Sequence, residues 1–282
     1  MEKLCDLHAH STASDGSLSP AQLLQLAVDT GLSAVVLCDH NTVAGLPEFT
    51  EAAKDLPLEA VPGVEFTSEY EGTELHILGL YVKPAHYEKI NALLDEFKHR
   101  KEESNQKLIA VLSAAGFRAS YGKFCDNHGY VNRAHIAQAL VEAGYVESVE
   151  MAFKTLLREG GGYYEPPRRL DAFEIIRFIK SMGALAVLAH PLLNLDEAGL
   201  RAFLPRAKEA GLDGMETEYT KYSEEKTALA KSLAAEFQIL ESGGSDFHGT
   251  AKPDVFLGSG RGNLRIPLSY LEKLKINLKK MP

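Results

Sequence analysis

The sequence predicts an α/β barrel of parallel strands interrupted by a helical insertion, and three observations carry that prediction. Short apolar runs alternate with helical stretches over most of the chain. Histidines and carboxylates recur where those runs end. Between about residues 86 and 165 the alternation stops and only helical patterns remain. A length of 282 residues suits one such barrel.

The elements follow in order. "KLCDLHAH" reads as a short strand. Ser19 then suits an N-cap, Pro20 the first helical position and Gln22 the third, a capping-box pattern. Leu23, Leu24, Ala27 and Val28 make an apolar face, and Gly31 ends it. "SAVVLCDH" is an apolar run of the kind buried on both faces, which completes a βαβ unit. "LEAVPGVEFTSEY" and "TELHILGLYV" read as strands, and helical "LDAFEIIRFIKSMG" leads to the strand "ALAVLAHP". "GLDGMETEY", helical "SEEKTALAKSLAAEF" and "QILESGGSDFHG" complete the barrel. In the insertion, "HYEKINALLDEFKHRKEESNQKLIAVLSAAG" and "NRAHIAQALVEAGYVESVEMAFKTLLREGGG" read as helical throughout. Three glycines at 160–162 and then Pro166-Pro167 mark the return. The expected division is a barrel of residues 1–85 and 166–282 and an insertion of 86–165 that forms part of the substrate pocket.

Composition excludes several classes. Thirty basic and 39 acidic residues give a net charge of -9, which repels a phosphate backbone, so stable duplex binding is not expected. A local basic pocket for a phosphorylated ligand stays open. Cys5, Cys38 and Cys125 are odd in number and widely spaced, against a disulfide framework or a thiolate zinc site. Asp6 and His8 interrupt any leader-like apolar start, and no apolar run reaches membrane-spanning length. The expectation is a cytoplasmic protein with no membrane partner.

His8 and His10, two apart in a strand, point to one side. An H-x-H pair alone is weak. It gains weight from Asp15, His40, Glu65, His76, His190, Asp246 and His248, which fall at predicted strand ends or in the loops after them. Gathered at one mouth, these imidazoles and carboxylates need cations to offset their desolvation. Six imidazoles and three carboxylates without thiolate suit Mn²⁺, Zn²⁺ or Fe²⁺ over Mg²⁺, Ca²⁺ or Cu(I), and Mn²⁺ is the expected ion among them. Such ions clamp an in-line displacement and lower the pKa of bound water towards ~7, so metal-bound hydroxide replaces a protein nucleophile. Asp6 and Asp39 adjoin ligand histidines, and each either orients an imidazole or closes a neighbouring loop.

"DLHAHSTASDG", "CDHNTVAG", "PGVEF", "LAHP" and "GGSDFHG", in that order, resemble the polymerase-and-histidinol-phosphatase (PHP) family. The likeness is closest to its stand-alone bacterial metal-dependent phosphoesterases and covers essentially the whole chain. It implies a distorted, seven-stranded, TIM-like barrel with three divalent ions. His8, His10, Glu65 and Asp246 would hold one ion, and Glu65 would bridge to a second held by His76 and His190. Asp15, His40 and His248 would hold the third. The resemblance also implies that Arg133 and His135 bind substrate phosphate from the first turn of a helix. Asn132, where relatives often carry Ser or Thr, and Tyr164 are further candidate contacts; Tyr164 is equally a packing residue.

The implied reaction is hydrolysis of phosphate monoesters of small nucleotides, foremost the 3′-phosphate of nucleoside 3′,5′-bisphosphates. The alternatives are 5′-3′ trimming of short single-stranded RNA, a histidinol-phosphate-type phosphatase and a non-catalytic metal-binding module. Amidohydrolase barrels also open with H-x-H, but bridge their metals with a carboxylated lysine where this chain offers Glu65.

Overall fold

Seven strands pair in chain order into one sheet: β1 (Cys5–Ala9), β2 (Ala34–Leu37), β3 (Glu59–Tyr70), β4 (Thr73–Leu80), β5 (Leu185–Ala189), β6 (Gly214–Tyr219) and β7 (Leu240–Gly244). The two edges nearly meet. His10 donates its N–H to the Phe247 carbonyl, and Asp246 to the His8 carbonyl, both at 2.9 Å. Gly244 permits the approach, because a Cβ there would lie 2.2 Å from the Cβ of His8. The result is a seven-stranded barrel of the distorted TIM-like kind. The computed structural model describes residues 2–123 and 131–278.

All neighbours are parallel except those of β4, which runs antiparallel to both β3 and β5. This corrects the expectation of a wholly parallel barrel. Tyr70 and Thr73 pair directly across Glu71 and Gly72, whose φ values are 49° and 81°. Two left-handed residues make a tight hairpin, and a hairpin of that length forces the second strand to turn back. A parallel return needs a crossover of a dozen or more residues.

The first helix, α1 (Pro20–Asp29), carries the expected capping box: Ser19 accepts from the Gln22 N–H, and the Gln22 side chain from the Ser19 N–H. Outside the sheet also lie α2 (Leu46–Ala52), α6 (Ala172–Ser181), α7 (Glu197–Ala210) and α8 (Glu224–Phe237). The last helix, α9 (Leu268–Leu278), puts Leu271 and Leu274 into a buried cluster with Cys5, Leu7, Val36, Val61, Leu78, Leu80 and Val187. That cluster fills one end of the barrel interior.

The chain divides into two compact units, Met1–Asn91 with Leu170–Pro282, and Ala92–Arg169. The second unit has its own core of Leu108, Leu112, Tyr121, Ile136, Leu140, Leu157 and Tyr164. Its helices are α3 (Tyr87–Ala114, which begins before the unit), α4 (Arg133–Glu142) and α5 (Val149–Lys154). The stretch expected to be helical throughout is therefore broken. Gly144, at φ 75°, ends α4, and Ser148 caps α5 by accepting from the Met151 N–H. Cys125 and His128 lie outside the described residues. Among the described residues no helix is long and apolar enough to cross a membrane.

Candidate metal centre

One face of each strand changes character along its length. Ala34, Val36 and Cys38 belong to the apolar cluster, and His40 follows at the same parity. Val61 leads in the same way to Glu65, and Leu185, Val187 and Ala189 lead to His190. In β4 the order is reversed: His76 comes before Leu78 and Leu80. Sequence reading placed His76 at a strand end of the usual polarity. It sits near the start of an antiparallel strand, and that reversal brings it to the ligand end. In β1 the register shifts between Asp6 and Ala9, which turns His8 and His10 to the interior. His190 and Asp246, both outside glycine, adopt left-handed backbone at φ 31° and 56° to aim their side chains inward.

All nine expected ligands converge. Glu65, fully buried, is the hub. Its Oε1 lies 2.7 Å from His76 Nδ1 and 3.3 Å from His190 Nε2. Its Oε2 lies 2.9 Å from His40 Nδ1, 3.2 Å from His10 Nε2 and 3.3 Å from His8 Nε2. Asp15 Oδ1 approaches His248 Nε2 at 3.2 Å, and Asp246 Oδ1 approaches His10 Nε2 at 3.2 Å. Among the described residues four groups have ligand atoms close enough to share an ion: His8, Glu65 and His190; His40, Glu65 and His76; His10, Asp15, His40 and His248; and His8, His10 and Cys38. Within them His190 lies with His8, and His10 lies with Asp15.

The donor set fits divalent cations on two observations. Glu65 Oε2, His10 Nδ1 and His248 Nε2 are buried with no aligned hydrogen bond, although imidazole and carboxylate atoms crowd around them. Lone pairs that converge without shared protons are what a cation satisfies. The charge also suits. Burial opposes ionisation of Glu65, but the imidazoles of His8, His10, His190 and His40 outweigh it and hold the carboxyl well below its usual range. Asp246 is held low in the same way by His8 and His10 against its burial. Burial works against charge on His76, yet its bonds to Glu65 and Glu74 lift it to about 9. Burial, and then the charge of His10, push His248 down to about 4. Cys38 also lies near His8 and His10. Burial pushes its thiol well up, and it donates to the Ala9 carbonyl, so it stays a neutral thiol.

Asp6 and Asp39 both close loops beside the ligands. Asp6 accepts from the Ser245 N–H at 2.9 Å, the Ser245 hydroxyl at 2.5 Å and the Gly258 N–H at 2.7 Å. Asp39 accepts from the Ser11 N–H at 2.8 Å and from the Ser11 and Ser14 hydroxyls at 2.7 and 2.6 Å, pinning the loop that carries Asp15. The imidazole-orienting role belongs instead to Glu216, which sequence reading passed over. Buried in β6, it accepts from His8 Nδ1 at 2.8 Å and from the His190 N–H at 2.7 Å. That fixes the His8 tautomer with its Nε2 lone pair towards the centre. The one signal was a carboxylate inside the apolar run "GLDGMETEY".

In the second unit, Asn132 caps α4, accepting from the His135 N–H at 2.9 Å, while its own N–H meets His135 Nδ1 at 3.3 Å. The Arg133 guanidinium lies 4.1 Å from the Tyr164 ring and 5.4 Å from that of Phe153, with Glu159 at 3.6 Å. Tyr164 is buried and packs in the unit's core.

Comparison with known proteins agrees with this geometry. A family model, the PHP domain, matches residues 6–164. A 5′-3′ exoribonuclease of Haemophilus influenzae is 37% identical over 88% of this chain and 91% of its own. A 3′,5′-nucleoside bisphosphate phosphatase of Chromobacterium violaceum is 28% identical over 86% of each. The structure of a Bifidobacterium adolescentis protein assigned as a metal-dependent phosphoesterase superposes with a TM-score of 0.68 at 28% identity, covering 97% of this chain and 96% of that one. With the candidate ligands gathered around Glu65 at one end of a seven-stranded barrel, this chain belongs to the PHP family and is a metal-dependent phosphoesterase of it.

Proposed function

We propose that the protein hydrolyses phosphate monoesters of small nucleotides, foremost the 3′-phosphate of nucleoside 3′,5′-bisphosphates, at a centre of three divalent ions, Mn²⁺ before Zn²⁺ or Fe²⁺. The observation that carries the reading is the single buried carboxylate of Glu65 shared by five imidazoles, with Asp15 and Asp246 at its flanks. All nine positions would serve as ligands. Ions held there would supply Lewis-acid charge for phosphate oxygens and an activated water. The chain's own part is to fix the donors: Glu216 sets the His8 ring, Asp39 the Asp15 loop, and Asp6 the Ser245–Gly258 loop. A cysteine nucleophile is not called on, since burial pushes the Cys5 and Cys38 thiols up.

Arg133 and His135 are proposed as phosphate contacts on features of their own unit. Two aromatic rings hold the guanidinium in place, and Glu159 stands at 3.6 Å, within ion-pair reach but beyond hydrogen-bond distance. Residues 92–169 hold eleven basic and ten acidic side chains, net +1, whereas the rest of the chain stands at -10. Asn132 and Tyr164 support this contact through the cap and the ring. A second reading, 5′-3′ trimming of short RNA, is favoured by the higher identity to the Haemophilus exoribonuclease.

The test is phosphate release by the Mn²⁺-loaded protein from adenosine 3′,5′-bisphosphate, short 5′-phosphorylated RNA and histidinol phosphate. Release from the bisphosphate is expected. Turnover of histidinol phosphate with an inert bisphosphate overturns the substrate, and mononucleotide release from RNA alone selects the second reading.

A further inference from the structure

Asp246 is held unlike the other carboxylates of the centre. Its Oδ1 faces the imidazoles, 3.2 Å from His10 Nε2 and 3.5 Å from both His8 Nε2 and His248 Nδ1. Its Oδ2 faces away and accepts two hydrogen bonds, from the Tyr219 hydroxyl at 2.8 Å and the Lys252 ammonium at 2.7 Å. Tyr219 is buried, so its hydroxyl is held against Asp246 away from solvent. Lys252 reaches back from the loop after His248. Among the described residues no other lysine or arginine lies within 4.0 Å of a ligand carboxylate. The left-handed backbone of Asp246, at φ 56°, is the kind of strain that persists where the surroundings over-determine a geometry.

We propose that Lys252 and Tyr219 clamp Asp246 to a single free oxygen, making it a one-point ligand and giving the centre a preference for small ions over Ca²⁺. The inference rests on the metal reading above and adds two positioning residues to it. An oxygen already bound by an ammonium and a hydroxyl is not free to chelate. Chelating carboxylates favour Ca²⁺, which accepts two-point ligands and flexible, higher coordination, over Mg²⁺, which demands near-ideal octahedral geometry. The ammonium also draws off part of the charge the carboxylate offers an ion.

The experiment measures Ca²⁺ and Mn²⁺ binding calorimetrically for the wild-type chain and for K252M, Y219F, the double variant and K252R. Freeing Oδ2 is expected to tighten Ca²⁺ binding about tenfold in the double variant, with Mn²⁺ affinity undiminished and K252R close to wild type. A role confined to orienting Asp246 predicts the opposite sign, weaker binding of both ions, and overturns the clamp. Unchanged affinities for both ions overturn it as well. A wild-type chain that binds neither ion overturns the metal reading beneath it, which separates the two failures. Metal-free melting curves establish that each variant folds, and Y219F tests the clamp by itself if K252M does not.

Discussion

The two ends of the barrel interior are built from the same strands and do opposite things. At one end Leu7, Val36, Leu78 and Val187 close on Leu271 and Leu274 of α9, with no charge to satisfy. At the other end of the same strands, His40, Glu65, His76 and His190 put lone pairs where a core would put methyl groups. The apolar end gains stability from burial, roughly 1.5–3 kcal/mol for each large aliphatic side chain. The polar end works against it, because buried carboxylates and imidazoles are costly until cations and neighbours offset them. The comparison teaches that the centre is stable only because the apolar end is. Changes at the two ends should therefore separate cleanly.

The largest expected effect is at Glu65. Glu65→Gln removes the charge shared by two of the ligand groups, and hydrolysis should fall by about 10³-fold or more, since a Lewis-acid contribution is worth several kcal/mol. The variant should also lose the stabilisation that ions confer on the wild type, on the order of 2.7 kcal/mol at a hundredfold excess over Kd. Melting with and without chelator measures this. A Glu65→Gln protein that chelator still destabilises as much as wild type would place the ions elsewhere. Leu274→Ala is the converse. It should lower stability by about 2–5 kcal/mol, read by denaturant unfolding, yet leave the chelator shift and metal stoichiometry intact. Loss of metal by Leu274→Ala, in protein that remains folded, would show that the two ends are not separable.

Much of this contrast was readable in the sequence, and what was not has physical causes. The Ser19–Pro20–Gln22 start of α1 is local chemistry and was read correctly. The nine candidate positions that converge at one end of the barrel also stood out, because H-x-H, "CDHN" and "SDFH" are compact local patterns. The direction of β4 was also encoded locally, in the two residues Glu71-Gly72, a turn too short for a parallel return. Glu216 was beyond reach: its partner His8 stands 208 residues away, and nothing local marks a buried carboxylate as paired. The same holds for Tyr219 on Asp246.

Glu216 gives the next test of the contrast, since it lies in β6 between the two ends. Glu216→Gln keeps the shape but removes the charge that holds the His8 ring and the His190 N–H. Residues that orient metal-bound histidines typically contribute about 10–100-fold in affinity or activity. Mn²⁺ affinity should fall within that range, while metal-free stability falls less than for Leu274→Ala. If Mn²⁺ binding is unaltered, Glu216 belongs with the apolar end as packing and not with the centre.

The smallest expected effect divides the polar end itself. Glu65 is buried within a strand, whereas the Asp15 side chain is 56% exposed and stands on a loop that Asp39 ties down through Ser11 and Ser14. Ser14→Ala removes one of those ties, a hydrogen bond to a carboxylate at 2.6 Å. Such bonds contribute about 1.5–3 kcal/mol when buried, and the half-exposed setting of Ser14 reduces that to ~1 kcal/mol. The loosening should reach the group of His10, Asp15, His40 and His248 and leave the two groups on the Oε atoms of Glu65 as they were. In a metal titration, one class of site should therefore weaken by about fivefold while the others hold. A uniform weakening across all classes would mean that the centre behaves as one rigid body, with the Asp15 loop as firmly set as Glu65.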